Sequence, residues 1–301
     1  MDRTGYAKTS VGKFRIRIKE MSTLDLYTRE KVISGYSIHI GGKDIECVYI
    51  TIPKGGTTGT LVRLDSKTGC SIDPPYTVGG KKTIEMVHLG FSLIFDLFPH
   101  IKTLELDDSA SFMCELPDNK KYATNMTEYE LFFNQSAYYE SRFGAKLSNP
   151  DMQRLYESIK PSFTDPSKKP QTFDFRIPEL EKAFAPLYAE SETWKEFAEK
   201  IETAYKSKEG GKKCAAVYIW LKSALSHICN NISFSGQKWS IELRKDMHKI
   251  PYKATSTGGG KSLTRRRSRR QRTLLDDNDI NGIVGPTPQE YLSMNWSTVL
   301  P

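Results

Sequence analysis

No two cysteines in this sequence stand as Cys-x-x-Cys, and none clusters with histidine, so the spacing offers neither a zinc site nor a dithiol redox motif. The five cysteines are Cys47, Cys70, Cys114, Cys214 and Cys229. An odd number without a framework predicts reduced, mostly buried thiols in a cytosolic protein. Nor does any stretch approach the roughly 18 apolar residues of a membrane span. The longest apolar-rich run, Ile84 to Phe98, is broken by Glu85, His88, Ser92 and Asp96. The charged-then-apolar pattern of a leader is also missing, because Met1-Asp2-Arg3-Thr4 passes straight into polar sequence, which predicts no export. Triplets such as Asn125-Met126-Thr127 then carry no glycosylation meaning. The histidines, His39, His88, His100, His227 and His248, are scattered, and no complete catalytic or metal motif is spelled out.

What is present is a basic segment near the end. The formal net charge is +8. Between Arg244 and Arg272 stand eleven lysines and arginines against one acid, Asp246. The densest part is Arg265-Arg266-Arg267-Ser268-Arg269-Arg270-Gln271-Arg272. Beyond it come four acids and no base, which leaves the first 243 residues at about +2. The expectation is a nearly neutral folded body with a flexible basic arm. Arg265, Arg266, Arg267, Arg269, Arg270 and Arg272 can neutralise phosphates or an acidic protein surface through charge and bidentate hydrogen bonds. A nuclear localisation signal and a merely solvating tail are the other readings of the same run.

The body divides by hydrophobic period. Lys13-Phe14-Arg15-Ile16-Arg17-Ile18-Lys19 alternates strictly, as a half-buried strand does. Tyr36 to Ile40, Ile45 to Ile52 and Thr60 to Leu64 continue as strands joined by glycine-rich turns, an antiparallel meander. From Thr83 to Phe98 the polar residues fall three and four apart, giving a largely buried helix with Thr83 as N-cap. Ile101 to Leu106 alternates again. The segment Glu128 to Gly144 reads as an aromatic-rich helix closed by Gly144. Beyond Asn149-Pro150 the chain reads as helical. It has a short helix at 151–159 and a linker at 161–170. A helix-rich stretch, 178–206, is broken at Pro186 and ended by Gly210-Gly211, and a further helix follows at 214–232. A last strand is expected within 237–243. The fold class is therefore α+β: a mixed or antiparallel sheet with a buried central helix, then a helical region, then the arm. The corresponding segments are 1–150, 151–243 and 244–301.

Two further segments invite a functional reading. Gly79, Gly80, Lys81 and Lys82 precede the buried helix, where two lysines oppose the helix dipole unless an anion offsets them. This is not a phosphate-loop motif, because Pro75 stands where the first glycine belongs, and an ordinary strand-to-helix turn is the simpler reading. Near the end, Tyr291, Leu292, Met294 and Trp296 are apolar in a polar neighbourhood. They read either as a docking anchor behind the flexible Gly258-Gly259-Gly260 segment or as residues that pack back on the body. Asp107-Asp108, after a strand, reads as a turn or cap feature more readily than as a cation site.

The order of meander, glycine-rich turn, buried helix and strand, followed by Asn134-Gln135-Ser136-Ala137-Tyr138-Tyr139-Glu140-Ser141-Arg142-Phe143-Gly144-Ala145, resembles the Gcn5-related N-acetyltransferase fold over residues 12–150. That resemblance implies that the turn at Gly79 to Thr83 receives the pyrophosphate of acetyl-CoA. The chain departs from the family at Tyr76, where Gln or Arg is usual, and in the order of Phe143 and Gly144. Asp96-Leu97-Phe98-Pro99-His100-Ile101-Lys102 and Ser136 to Ala145 are also similar to uncharacterised proteins of nucleo-cytoplasmic large DNA viruses. That likeness implies a non-enzymatic virion or minor capsid component without cofactor. Its partners would be other virion proteins, nucleic acid or an anionic membrane surface, and it would assemble in the host cytoplasm. An acyl-CoA-dependent transferase is the alternative.

Overall fold

The computed structural model of the chain describes residues 3–9, 12–25, 27–65, 69–72, 80–108, 110–116, 120–208, 210–244, 247, 294, 296 and 300. The described chain forms two compact units, and they interleave segments that the sequence reading takes as consecutive. Unit 1 draws on Met1–Asp107, Arg142–Ser148 and Lys238–Arg266; unit 2 draws on Asp108–Ser141, Asn149–Gln237 and Arg267–Pro301.

Unit 1 is one mixed sheet with a helix. Strands β1 (Arg3–Thr9), β2 (Gly12–Leu24), β3 (Lys31–Gly41), β4 (Glu46–Pro53) and β5 (Thr58–Leu64) run antiparallel in sequence order. Helix α1 (Gly80–Leu97) then crosses over to β6 (Thr103–Asp107), which pairs parallel to β5. The far edge is built by β10 (Lys238–Glu242) and the two-residue β9 (Lys146–Leu147), so the spatial order is β1-β2-β3-β4-β5-β6-β10-β9. Strict alternation makes one face apolar: Phe14, Ile16, Ile38, Ile40, Val48, Ile50 and Leu104 are buried on it. Met86, Val87, Leu89, Phe91 and Ile94 bury the other side of that layer from α1. The helix comes close at Gly90, where an added Cβ would stand 2.8 Å from Ile50 Cδ1.

The expected strands and buried helix are therefore present, with differences that have local causes. Thr83 is not a cap. Helix α1 starts three residues earlier, at Gly80, and places Thr83 inside, 4% exposed. Strand β1 escaped notice because Arg3–Thr9 carries little apolar pattern and is an edge whose stability comes from pairing with β2.

Unit 2 opens with the hairpin β7 (Ser111–Glu115) and β8 (Lys121–Asn125), which the sequence reading lacked. Seven helices occur among the described residues. Those after α1 are α2 (Met126–Asn134), α3 (Tyr138–Phe143), α4 (Pro150–Ile159), α5 (Pro178–Ala189), α6 (Trp194–Ala204) and α7 (Gly210–Ile228). The single aromatic helix expected across 128–144 is two helices, because Gln135 adopts φ 52° and ends α2. Pro186 does not break α5, which runs on to Ala189. The break comes at Thr193, whose hydroxyl accepts the Glu196 N–H at 3.1 Å and caps α6. Gly210-Gly211 begins α7 rather than ending a helix.

Trp220 on α7 is fully buried and lies within 6.1 Å, between ring centroids, of Phe132, Phe173, Phe175, Phe184 and Phe197. Such aromatic pairs add about 0.5–1.5 kcal/mol each beyond area burial. A second tie is polar: Glu140 accepts from Ser136 Oγ (2.8 Å), Tyr156 Oη (2.6 Å) and Lys160 Nζ (2.6 Å), and Tyr156 Oη accepts the Ala137 N–H. Burial pushes the Glu140 carboxyl up, but these three donors outweigh it and hold the group below its ordinary range.

The cysteines overturn the expectation of reduced thiols. Cys47 on β4 is bonded to Cys70, and Cys114 on β7 is bonded to Cys214 on α7, with Cα separations of 5.7 and 5.4 Å. Only Cys229 is free, and it is buried. Two structural disulfides do not fit the reducing cytoplasm that the sequence reading assigned. Their partners lie 23 and 100 residues apart, so no local spacing announced them. The loop bearing Cys70 passes so close to Gly42 that a Cβ there would fall 1.6 Å from Gly69 O.

Two outcomes are expected. Thiol titration in denaturant should find one reactive thiol per chain before reduction and five after it. The double variant Cys114→Ser/Cys214→Ser should lose about 3–5 kcal/mol in urea unfolding, since it frees a loop of about a hundred residues.

Candidate functional site

A half-open pocket of about 260 Å³ lies within unit 2. Helix α2 supplies Thr127, Glu128 and Leu131, helix α7 supplies Lys222, Leu225 and Ser226, and the turn after α7 supplies Cys229 and Asn231 to Phe234. Asn125 caps α2 by accepting the Glu128 N–H at 2.9 Å, which fixes where the Glu128 side chain starts. Burial pushes the Glu128 carboxyl up, and the Lys222 ammonium partly opposes this. Cys229 is 1% exposed, and burial, reinforced by the Glu128 charge, pushes its thiol up to about 12. A thiol held neutral in that way is no nucleophile. The cavity thus offers an ammonium, a carboxyl and the polar side chains of Ser226, Asn231 and Ser233 over an apolar floor. That set can hold a small polar molecule, and it lacks an activated nucleophile.

Beside the cavity wall stands Asp108, 6% exposed. Its backbone N–H donates to Gln237 O at 3.0 Å. Its carboxyl meets Thr127, which also lines the cavity, the Asn125 amide, and the N–H groups of Gly236 and Ala110. These contacts are weak: the Asn125 bond measures 3.5 Å, and neither Asp108 Oδ1 nor Thr127 Oγ1 has a partner in good geometry. Desolvation therefore wins over the donors and raises the carboxyl to about 6. Asp108 is a turn anchor, and among the described residues no group of acids, cysteines and histidines could hold a metal ion.

A second polar cluster lies in unit 1. His39 stacks on Tyr49 with ring centroids 4.7 Å apart. Its Nδ1 meets Glu46 Oε2 at 2.8 Å and its Nε2 meets Ser37 Oγ at 2.9 Å, while Glu46 is also paired with Arg17. Burial lowers the His39 pKa, with Glu46 partly opposing it. The order hydroxyl, imidazole, carboxylate is that of a nucleophilic triad. It lacks the rest of the machinery. Ser37 is 4% exposed, and the amides of β3 are engaged in ladders with β2 and β4, leaving no donor pair for an oxyanion. The cluster is a cross-strand clasp. His88 is packed edge-on to Phe91 and Phe143, and burial lowers its pKa against a hydrogen bond to the Met247 backbone.

The remaining sequence candidates are placed as follows. Gly80, Lys81 and Lys82 form the first turn of α1, which contains no acid, and Gly79 lies outside the described residues. Arg265, Arg266, Arg267, Arg269, Arg270 and Arg272 lie outside them too, as do Tyr291 and Leu292. Met294 and Trp296 are 6% and 2% exposed, so the chain itself covers both side chains. Sequence reasoning missed the cavity altogether. Its walls come from residues about a hundred positions apart, and Glu128 carries no mark beyond its place three residues after the capping Asn125. No family model, curated protein or solved structure matches the chain.

The raised carboxyl at Asp108 has a sign that can be tested. A folded-state value of about 6 against the ordinary 3.8 means that the contribution of Asp108 to stability is greatest below pH 4, falls as pH rises toward 6, and is flat above. Asp108→Asn should therefore be neutral near pH 4 and stabilise by about 1–3 kcal/mol at pH 7, read as a rise in thermal midpoint. Equal effects at both pH values would refute the assignment.

Proposed function

We propose that this chain is a non-enzymatic structural or assembly protein, a minor capsid or virion component of a large DNA virus. Its folded body would take a place in a shell, while the basic arm around Arg265 to Arg272 contacts neighbouring subunits, the genome or a membrane surface. The observation that carries this reading is that each of the two compact units is closed by its own disulfide. A component of a released particle meets an oxidising medium, where such bonds persist and hold small bodies against unfolding. The main ionisable clusters support the same view, since Glu140, Glu46 and His39 are engaged in ties within their own unit. No described helix is long and apolar enough to cross a membrane, so contact with a lipid surface would be peripheral.

One observation favours a second reading, an acyl-CoA-dependent transferase. The pair β5 and β6 is parallel and joined through α1, and in open sheets ligands collect at the carboxyl end of such a strand, against the next helix N-terminus. Lys81 and Lys82 in the first turn of α1 suit the phosphates of acetyl-CoA by charge.

The two readings separate in one set of measurements on the full chain. Under the structural reading, duplex DNA binding should weaken steeply with salt. Replacing Arg265, Arg266, Arg267, Arg269, Arg270 and Arg272 by Gln should reduce the slope of log K against log salt by about 4–5, at about 0.9 per phosphate contact. Calorimetry with acetyl-CoA should give no binding heat. Heat with acetyl-CoA that is lost in Lys81→Glu/Lys82→Glu would instead establish the transferase reading.

A further inference from the structure

Register sorts the residues of β1 to β5 onto two faces, and the outward face of these five strands is strongly basic. Lys8 lies opposite Lys13, and Tyr6 lies opposite Arg15. Thr4, Arg17, His39, Tyr49 and Arg63 form one row across five strands. Lys19, Ser37, Thr51 and Thr60 form the next. Six cations, Lys8, Lys13, Arg15, Arg17, Lys19 and Arg63, thus share the part of this face built by β1 to β5 with one acid, Glu46, while the neighbouring β6 and β10 carry Glu105, Asp107 and Glu242 on the same side. Glu46 is already taken up by Arg17 and His39.

The arrangement costs stability on its own. Lys8 and Lys13 are directly opposed like charges. Lys13, Arg15, Arg17 and Lys19 follow at every second residue of β2, about 6.8 Å apart, in a row about 20 Å long. Lys8, Lys19 and Arg63 are exposed and make no ion pair with a described residue. A polyanion laid along β2 would relieve this repulsion and release its own counterions. The face is also aromatic. The stacked His39–Tyr49 pair lies in the middle of the basic field, and Tyr6 lies at its edge under Lys13 Nζ, 5.2 Å from the ring centroid. Rings among cations on an open sheet face suit bases that are free to stack, which a single strand offers and a duplex does not.

We propose that the outward face of β1 to β5 binds single-stranded nucleic acid. The phosphates would run along Lys13, Arg15, Arg17 and Lys19, with Lys8 and Arg63 to the sides, and bases would rest on Tyr6 and on the His39–Tyr49 pair. This surface belongs to the folded body and does not depend on the arm.

The test uses the full chain with the six arm arginines replaced by Gln, so that only the body is read. A labelled oligothymidine is followed by fluorescence anisotropy across a salt series. The parent should bind. Lys8→Gln/Lys13→Gln/Lys19→Gln/Arg63→Gln spares the two arginines that hold internal bonds. It should weaken binding by about 10- to 100-fold and lower the salt slope by about 2–3, at about 0.7 per contact. Tyr6→Ala/Tyr49→Ala should weaken binding about tenfold and leave the slope unchanged. Lys19→Gln alone, at an exposed position, should lower the slope by about 0.7 and guards against loss of fold in the larger variant. Unchanged affinity and slope in the lysine variants would overturn the proposal. So would tighter binding of a duplex of equal length, or binding of a sulfated oligosaccharide where the oligothymidine fails.

Discussion

The alternation of β2 decides both faces of unit 1 at once. Phe14, Ile16 and Ile18 must turn toward α1, so Lys13, Arg15, Arg17 and Lys19 must turn away. A slip of one residue would bury four cations and expose three large apolar side chains. Each misplaced charge would cost several kcal/mol, so the register has no competitor. Everything around β2 inherits this choice. The neighbouring β3 brings Ile38 and Ile40 to the core and leaves Ser37 and His39 outside, and β4 does the same with Val48 and Ile50 against Tyr49 and Thr51. The basic outer face is thus the other half of the pattern that makes the core.

Unit 2 depends on a different device. Its helices bring rings to Trp220 from α2, α5, α6 and the 173–175 segment, a packing with little tolerance for volume change. Hydrophobic packing of this kind is adaptable in detail, and the Cys114–Cys214 bond removes that freedom at one point by tying β7 to the start of α7. Polar groups do the same elsewhere. Glu140 gathers three donors, and the Tyr156 hydroxyl both donates to it and accepts from Ala137. Asp108 is the exception, a carboxyl placed where desolvation exceeds what its donors return. Buried, poorly paired charge is a local cost that the surrounding packing must outweigh.

Local pattern was readable where local physics decides. Lys13 to Lys19 declared a strand because period 2 is set by backbone geometry, and the polar stripe of Glu85, His88, Ser92 and Asp96 declared α1 for the same reason at period 3.6. What was not readable rests on distant partners. The β1 sequence becomes a strand because β2 offers it an edge. The hairpin of β7 and β8 carries only Phe112, Met113 and Cys114 on one strand and Tyr122 and Ala123 on the other as an apolar cue. Gly210-Gly211 looked like a stop signal, yet it opens α7, because a glycine pair marks a helix boundary without saying which end. The Cys114–Cys214 bond and the cavity at Glu128 join residues about a hundred positions apart, and even the Cys47–Cys70 bond spans 23, beyond any window of pattern. The cations of β2 were visible as letters, but they formed a patch only when the register added Lys8 and Arg63 from two other strands.

The distribution of reactive groups bears on the choice between a structural and a catalytic reading. Catalysis needs an ionisable group kept at some cost in a useful state and open to a substrate. The three groups nearest to that description each fail one requirement. His39 has the partners of a general base, but its hydroxyl neighbour is covered and its strand has no spare amides. Cys229 faces a cavity, but burial keeps it a neutral thiol. Asp108 titrates near physiological pH, but it is buried in a turn between backbone donors. On the outward face of β1 to β5, Lys8, Lys19 and Arg63 are exposed cations that make no ion pair with a described residue, and such groups attract polyanions.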